Sequence, residues 1–122
     1  MIPESETSPR VTVTGDANES TLSFEGESYP ENVIEFYAPI IAWLEKNVHQ
    51  IATLHVRFRL YYLNTGSSKA ILDLIRRLEV KGAAGARIDI EWHHLPDLEI
   101  MRRAGEDLLA DTSLPHRVVA IL

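Results

Sequence analysis

Leu60-Tyr61-Tyr62-Leu63-Asn64-Thr65-Gly66-Ser67-Ser68-Lys69-Ala70-Ile71-Leu72-Asp73-Leu74 reads as the end of an apolar strand, a short polar turn and the opening of an amphipathic helix. The strand extends back to Thr53. Leu54, Val56, Phe58, Leu60 and Tyr62 face one way, and His55, Arg57, Arg59, Tyr61 and Leu63 the other. Its last four residues are apolar on both faces, the pattern of a strand buried between two layers. The helix is expected from about Ser67 to Glu79, with Ala70, Ile71, Leu74, Ile75 and Leu78 as its core stripe. Leu72 points about 130° from that stripe and sits one turn from the hydroxyl cluster, which marks it as a candidate partner contact.

The turn concentrates Thr65, Ser67, Ser68, Gly66 and Lys69 at a helix start. The first N–H groups of a helix have no partner within it and carry the positive end of its dipole. Two readings follow. Ser67 or Ser68 is a plain N-cap, or the junction holds an anion, either a ligand or a phosphate carried by the chain. A nucleotide P-loop requires two glycines at fixed offsets before Lys-Ser/Thr; here there is one, and no hydroxyl follows Lys69. A Ser-x-x-Lys nucleophile fails too, because the residue three before Lys69 is Gly66.

Working outward, Lys81-Gly82-Ala83-Ala84-Gly85 terminates the helix, and Arg87 to His94 alternates as a strand with Ile88, Ile90 and Trp92 on one face. Pro96-Asp97 opens a helix whose stripe is Leu98, Met101, Gly105, Leu108 and Leu109, and His116 to Leu122 closes the chain as a strand. Upstream, Ser28-Tyr29-Pro30-Glu31-Asn32 announces a helix, with Pro30 near its first position. Val33, Tyr37, Ile40 and Leu44 centre its apolar stripe, and Pro39 falls on its wet side as a bend. Val11 to Thr14 and Thr21 to Gly26 are half-polar alternating runs about a turn, expected as a hairpin at a sheet edge. Residues 1–9, with two prolines and no periodicity, are expected as a flexible tail. The order ββαβαβαβ in residues 10–122 predicts one α/β domain with about five strands, a mostly parallel sheet and an antiparallel N-terminal edge hairpin.

Composition narrows the function. With 122 residues, 45% hydrophobic and 25% charged, the chain is an ordinary globular domain. It has no cysteine, which removes thiolate zinc sites and cysteine nucleophiles and fits a reducing cytoplasm. The N-terminus lacks the basic and apolar regions of a signal peptide, and no apolar run approaches membrane-helix length. A net charge of −6 argues against nucleic acid as partner. His93 and His94 are neighbours in a strand and point to opposite faces, while His49, His55 and His116 have no ligand spacing, so neither a metal nor a cofactor is expected. Arg57 and Arg59 share the less apolar strand face, where ion pairing is the default, and no catalytic constellation emerges.

The residues do carry a family pattern. Gly26-Glu27-Ser28-Tyr29-Pro30-Glu31-Asn32, Glu35-Phe36-Tyr37, Pro39 and Trp43-Leu44 resemble the signature of the SiaC family of bacterial biofilm-regulatory phosphoproteins. Tyr62-Leu63-Asn64-Thr65, Ser67-Ser68-Lys69-Ala70 and Leu72-Asp73-Leu74 resemble its central motif, and Glu91-Trp92 and Ala104-Gly105-Glu106 also match, across residues 11–109. The element order is similar to that of STAS-like anti-sigma-factor antagonists, a fold-level analogy. The resemblance implies a non-enzymatic partner-switching protein. A serine/threonine kinase would phosphorylate Thr65, with Ser67 and Ser68 as fallback sites, and a PP2C-like phosphatase would reverse it. The unphosphorylated form would bind and activate a diguanylate cyclase, raising cyclic di-GMP and favouring biofilm. Asn64, Gly66, Ser67, Ser68 and Lys69 would surround the phosphate, and Tyr62, Lys69, Leu72 and Asp73 would meet the partner. Gly66 departs from the motif, where serine is common. The other readings are an anti-sigma-factor antagonist and a small-anion or nucleotide-binding module at the same helix start.

Overall fold

The computed structural model describes residues 1–122. The elements are β1 (Arg10–Gly15), β2 (Glu19–Ser28), α1 (Val33–Asn47), β3 (Thr53–Leu63), α2 (Thr65–Ala83), β4 (Arg87–His94), α3 (Glu99–Leu109) and β5 (His116–Ala120), with a 3-10 turn at Val48–Gln50 after α1. The sheet order is β1-β2-β3-β4-β5; β1 runs antiparallel to β2 and the remaining pairs are parallel. This is the ββαβαβαβ α/β domain expected from the sequence.

Each parallel crossover steps to the next strand in the same direction. Crossovers of the usual right hand then place all three helices on one face. Burial agrees: Leu22, Phe24, Leu54, Val56, Phe58, Ile88, Ile90 and Trp92 are buried beneath Tyr37, Ile40, Leu44, Ile71, Leu74, Ile75, Leu78, Met101 and Leu109 in one core. The other face of the sheet stays open and polar, so the strand does not lie between two layers. β2 is likewise interior rather than an edge arm; its polar residues alternate because they face the open side.

The apolar end of β3 has a different cause. Gly26 of β2 pairs with Leu60 but Glu27 pairs with Tyr62, so Tyr61 is an extra residue in a bulge. A one-residue insertion reverses the facing of everything beyond it. Leu63 therefore packs on the core and Tyr62 turns out to solvent, the reverse of strict alternation.

Several boundaries also move. Asn32 caps α1, its Oδ1 accepting from the Glu35 N–H at 3.0 Å, so Pro30 lies in the preceding loop. Asn64 caps α2, which begins at Thr65 and runs on to Ala83; the stop is Gly85, at φ +109°. Residues 1–9 lie back against the domain. Ile2 and Val11 exchange backbone hydrogen bonds of 2.9 and 2.8 Å, and the Tyr29 N–H donates to the Thr7 carbonyl at 2.7 Å. An isolated bridge of this kind leaves no periodic trace.

Trp92 is fully buried, donates from Nε1 to the Met101 carbonyl at 2.9 Å and lies flat under α3. Gly105 makes that approach feasible, since a Cβ there would fall within 2.7 Å of Trp92 Nε1 and nearer still to ring carbons. Gly105→Ala is expected to destabilise the domain by about 1–3 kcal/mol, as overpacking does, read as a lowered urea midpoint; an unchanged midpoint would contradict this packing.

On the open face, His55 bridges three strands. Its Nδ1 lies 2.7 Å from Asp89 of β4, and its Nε2 lies 2.6 Å from Glu19 of β2. Hydrogen bonds to Asp89, then Glu19, raise its pKa above the ordinary 6.5. Protonation is thus favoured by folding, and this contribution is complete below pH 6.5 and lost as pH rises through the raised value. Urea midpoints above pH 6.5 are expected to fall with pH in the wild type, with a shallower slope in His55→Gln.

Candidate functional site

Two helices begin at the same end of the sheet, α1 after β2 and α2 after β3. The turn into α2 is bonded on both sides. The Asn64 N–H donates to the Ser28 carbonyl at 3.1 Å, its carbonyl accepts from the Ser68 N–H at 2.9 Å, and its Oδ1 accepts from the Ser67 N–H at 2.9 Å. Asn64 thus satisfies one of the helix N–H groups that Ser67 or Ser68 was expected to cap. Its position directly after an apolar strand and three residues before Ser67 is the signal that identifies it.

Ser67 has another task. Its hydroxyl is fully buried and 2.9 Å from Ser28 Oγ, which is 2.8 Å from the Tyr37 hydroxyl. This chain joins the start of α2, the end of β2 and the middle of α1. Burial pushes the Tyr37 phenol up to about 12, against the smaller opposing effect of the Ser28 and Ser67 hydroxyls, so it stays protonated. Ser67 therefore offers no accessible hydroxyl. Nothing in local sequence pairs Ser28 with Ser67, 39 residues apart.

Thr65 stands in contrast, exposed at the first position of α2. A Cβ on neighbouring Gly66 would lie 3.6 Å from Val33 Cγ1, ordinary contact distance, so the two helix starts adjoin each other and position 66 has room for a Cβ. An anion on Thr65 would stand at the positive dipole end of α2. Lys69 is exposed one turn along.

From this corner a groove of about 610 Å³ runs between α1 and α2, with Ile34, Tyr37, Ile41 and Ala70 among its apolar residues and Lys69, Asp73 and Arg77 as its charged ones. Ile34, 80% exposed, is the most prominent apolar side chain among the groove residues. Tyr62 is 48% exposed and meets Tyr29 edge to face at 5.6 Å. The structure therefore gathers Gly66, Lys69 and Asp73 in one groove, with Thr65 and Tyr62 at the same end of the domain. Leu72 does not join them. It is half-buried on the other side of α2, in a cleft with Leu108 and Asp111, because α3 covers the flank that a helical wheel leaves bare.

A model of the SiaC family of regulatory phosphoproteins matches residues 2–121. The chain belongs to this family. A protein of Pseudomonas aeruginosa strain UCBPP-PA14 is 32% identical over 120 residues, spanning 98% of this chain and 94% of its own. SiaC of P. aeruginosa, solved as the activator in complex with the diguanylate cyclase SiaD, superposes with a TM-score of 0.88 at 31% identity, covering 98% of both chains. Apo-SiaC of the same organism superposes at 0.79 with 32% identity, over 96% of this chain and 94% of that one. As a SiaC family member the chain is a regulatory protein rather than an enzyme. No helix is long and apolar enough to cross a membrane.

Two substitutions probe how this corner of the SiaC fold is held. Tyr37→Phe, which strands the buried Ser28–Ser67 pair without its third hydroxyl, is expected to cost about 1–2 kcal/mol. Asn64→Ala, which uncaps α2, is expected to cost about 1 kcal/mol. Urea unfolding checks both; wild-type midpoints would mean that neither group holds the turn.

Proposed function

We propose that this protein is a phosphorylation-controlled activator of a diguanylate cyclase, acting in the cytoplasm. In its unphosphorylated form it binds the cyclase, raises cyclic di-GMP and promotes aggregation and biofilm. A serine/threonine kinase phosphorylates Thr65 and switches it off, and a PP2C-like phosphatase restores it. What supports the reading is the exposed Thr65 hydroxyl at the first position of α2, at the end of an apolar groove, in a chain whose SiaC relative is an activator seated on a cyclase.

The mechanism is one of charge at a docking surface. Ile34, Tyr62 and the groove lined by Lys69 and Asp73 supply the apolar area and polar rim that a partner desolvates on binding. A phosphate on Thr65 adds about −1.5 to −2 charges and three acceptor oxygens beside that area. The α2 N-terminus and Lys69 can accommodate the charge without unfolding the domain, whereas the partner meets a hydrated anion where it would pack. Ser68 is half-buried and remains a lesser acceptor; Ser67 is closed off inside the hydroxyl chain.

Thr65→Ala is expected to lose kinase-dependent phosphate incorporation, read by intact mass, while retaining cyclase activation. Thr65→Glu is expected to fold normally and to bind the cyclase at least about tenfold more weakly, ~1.4 kcal/mol. Continued phosphorylation of Thr65→Ala would move the site, and loss of the thermal transition in Thr65→Glu would replace occlusion by unfolding.

A further inference from the structure

The open face of the sheet carries a second constellation, on the side away from the helices. Across β1, β2 and β3, two rows lie in register: Arg10, Glu25 and Arg59 in one, Thr12, Ser23 and Arg57 in the other. Together they line a notch of about 300 Å³. The carboxylates within reach are largely committed elsewhere. Glu25 holds Arg10 at 2.6 Å, leaving Arg59 at 3.8 Å. Glu91 holds His93 at 3.0 Å and Arg117 at 2.6 Å, leaving Arg57 at 3.7 Å. Arg59 Nε is buried with no acceptor, and the Thr12 and Ser23 hydroxyls bond to nothing in the chain.

The notch thus holds three guanidinium groups against one carboxylate, a local surplus of two positive charges in a chain whose net charge is −6. Two neighbouring forks, two free hydroxyls and a compact hollow suit a small dianion with several acceptor oxygens. We infer that this notch binds a phosphate monoester, with Arg57 and Arg59 gripping the phosphoryl oxygens and Ser23 and Thr12 donating from the floor. The site is separate from Thr65 and does not depend on the cyclase reading.

The test is isothermal titration of the full chain with phenyl phosphate and with inorganic phosphate at constant ionic strength, alongside nitrate. Saturable one-to-one binding of a phosphate is expected, weakened about tenfold by Arg57→Gln or Arg59→Gln and abolished by the pair, with circular dichroism unchanged. Tighter binding of phenyl phosphate would mean that the group arrives on another molecule, and equal binding that the phosphoryl group alone is read; both support the site. Amide shifts at Thr12 and Ser23 on titration of the wild type locate it even if the double variant folds poorly. Equal binding of nitrate, affinity unchanged in the folded double variant, or loss in Lys69→Gln instead would overturn it.

Discussion

Three buried hydroxyls, on Ser28, Ser67 and Tyr37, hold together the end of this domain where α1 and α2 begin. They connect the end of β2, the first turn of α2 and the body of α1, the three elements that border Thr65 and the groove. Buried polar groups are costly unless bonded, so the chain is stable only when all three elements are in place. The Asn64 N–H, bonded to the Ser28 carbonyl, extends the same fixation to the turn. The result is a rigid corner whose outermost hydroxyl, on Thr65, stands free.

That rigidity suits a switch that acts by charge. A phosphate on a loop with alternative conformations can order or melt it, but here the backbone is already bonded on both sides. The new charge would meet the α2 N-terminus, with Lys69 one turn along, which would stabilise it locally while the neighbouring apolar surface lost its fit for a partner. The neutral state of Tyr37, buried beneath, keeps the underlying contacts free of competing charge.

Alternation and helical periodicity carried the element order, the parallel sheet and the core stripes, because those patterns record which residues face the core. They were less informative where pairing is long-range. The bulge opposite Gly26 depends on how two strands register, so Tyr62 and Leu63 read with reversed facing. Leu72 looked exposed because a helical wheel does not know that α3 covers its side. Ser67 looked like a cap because its bond to Ser28 crosses 39 residues. Thr65 is singled out by the family motif alone, while Ile34 in the groove and Tyr29 against Tyr62 emerge only once the two helix starts are seen side by side.

On the proposed reading, phosphate on Thr65 alters binding without altering the fold. The direct measurement is calorimetric titration of a diguanylate cyclase with this chain, unphosphorylated and stoichiometrically phosphorylated, with the thermal transition of each form recorded in parallel. Tight binding by the unphosphorylated form alone is expected, with similar transitions for both. Equal affinities, or a phosphorylated chain that no longer melts cooperatively, would contradict it.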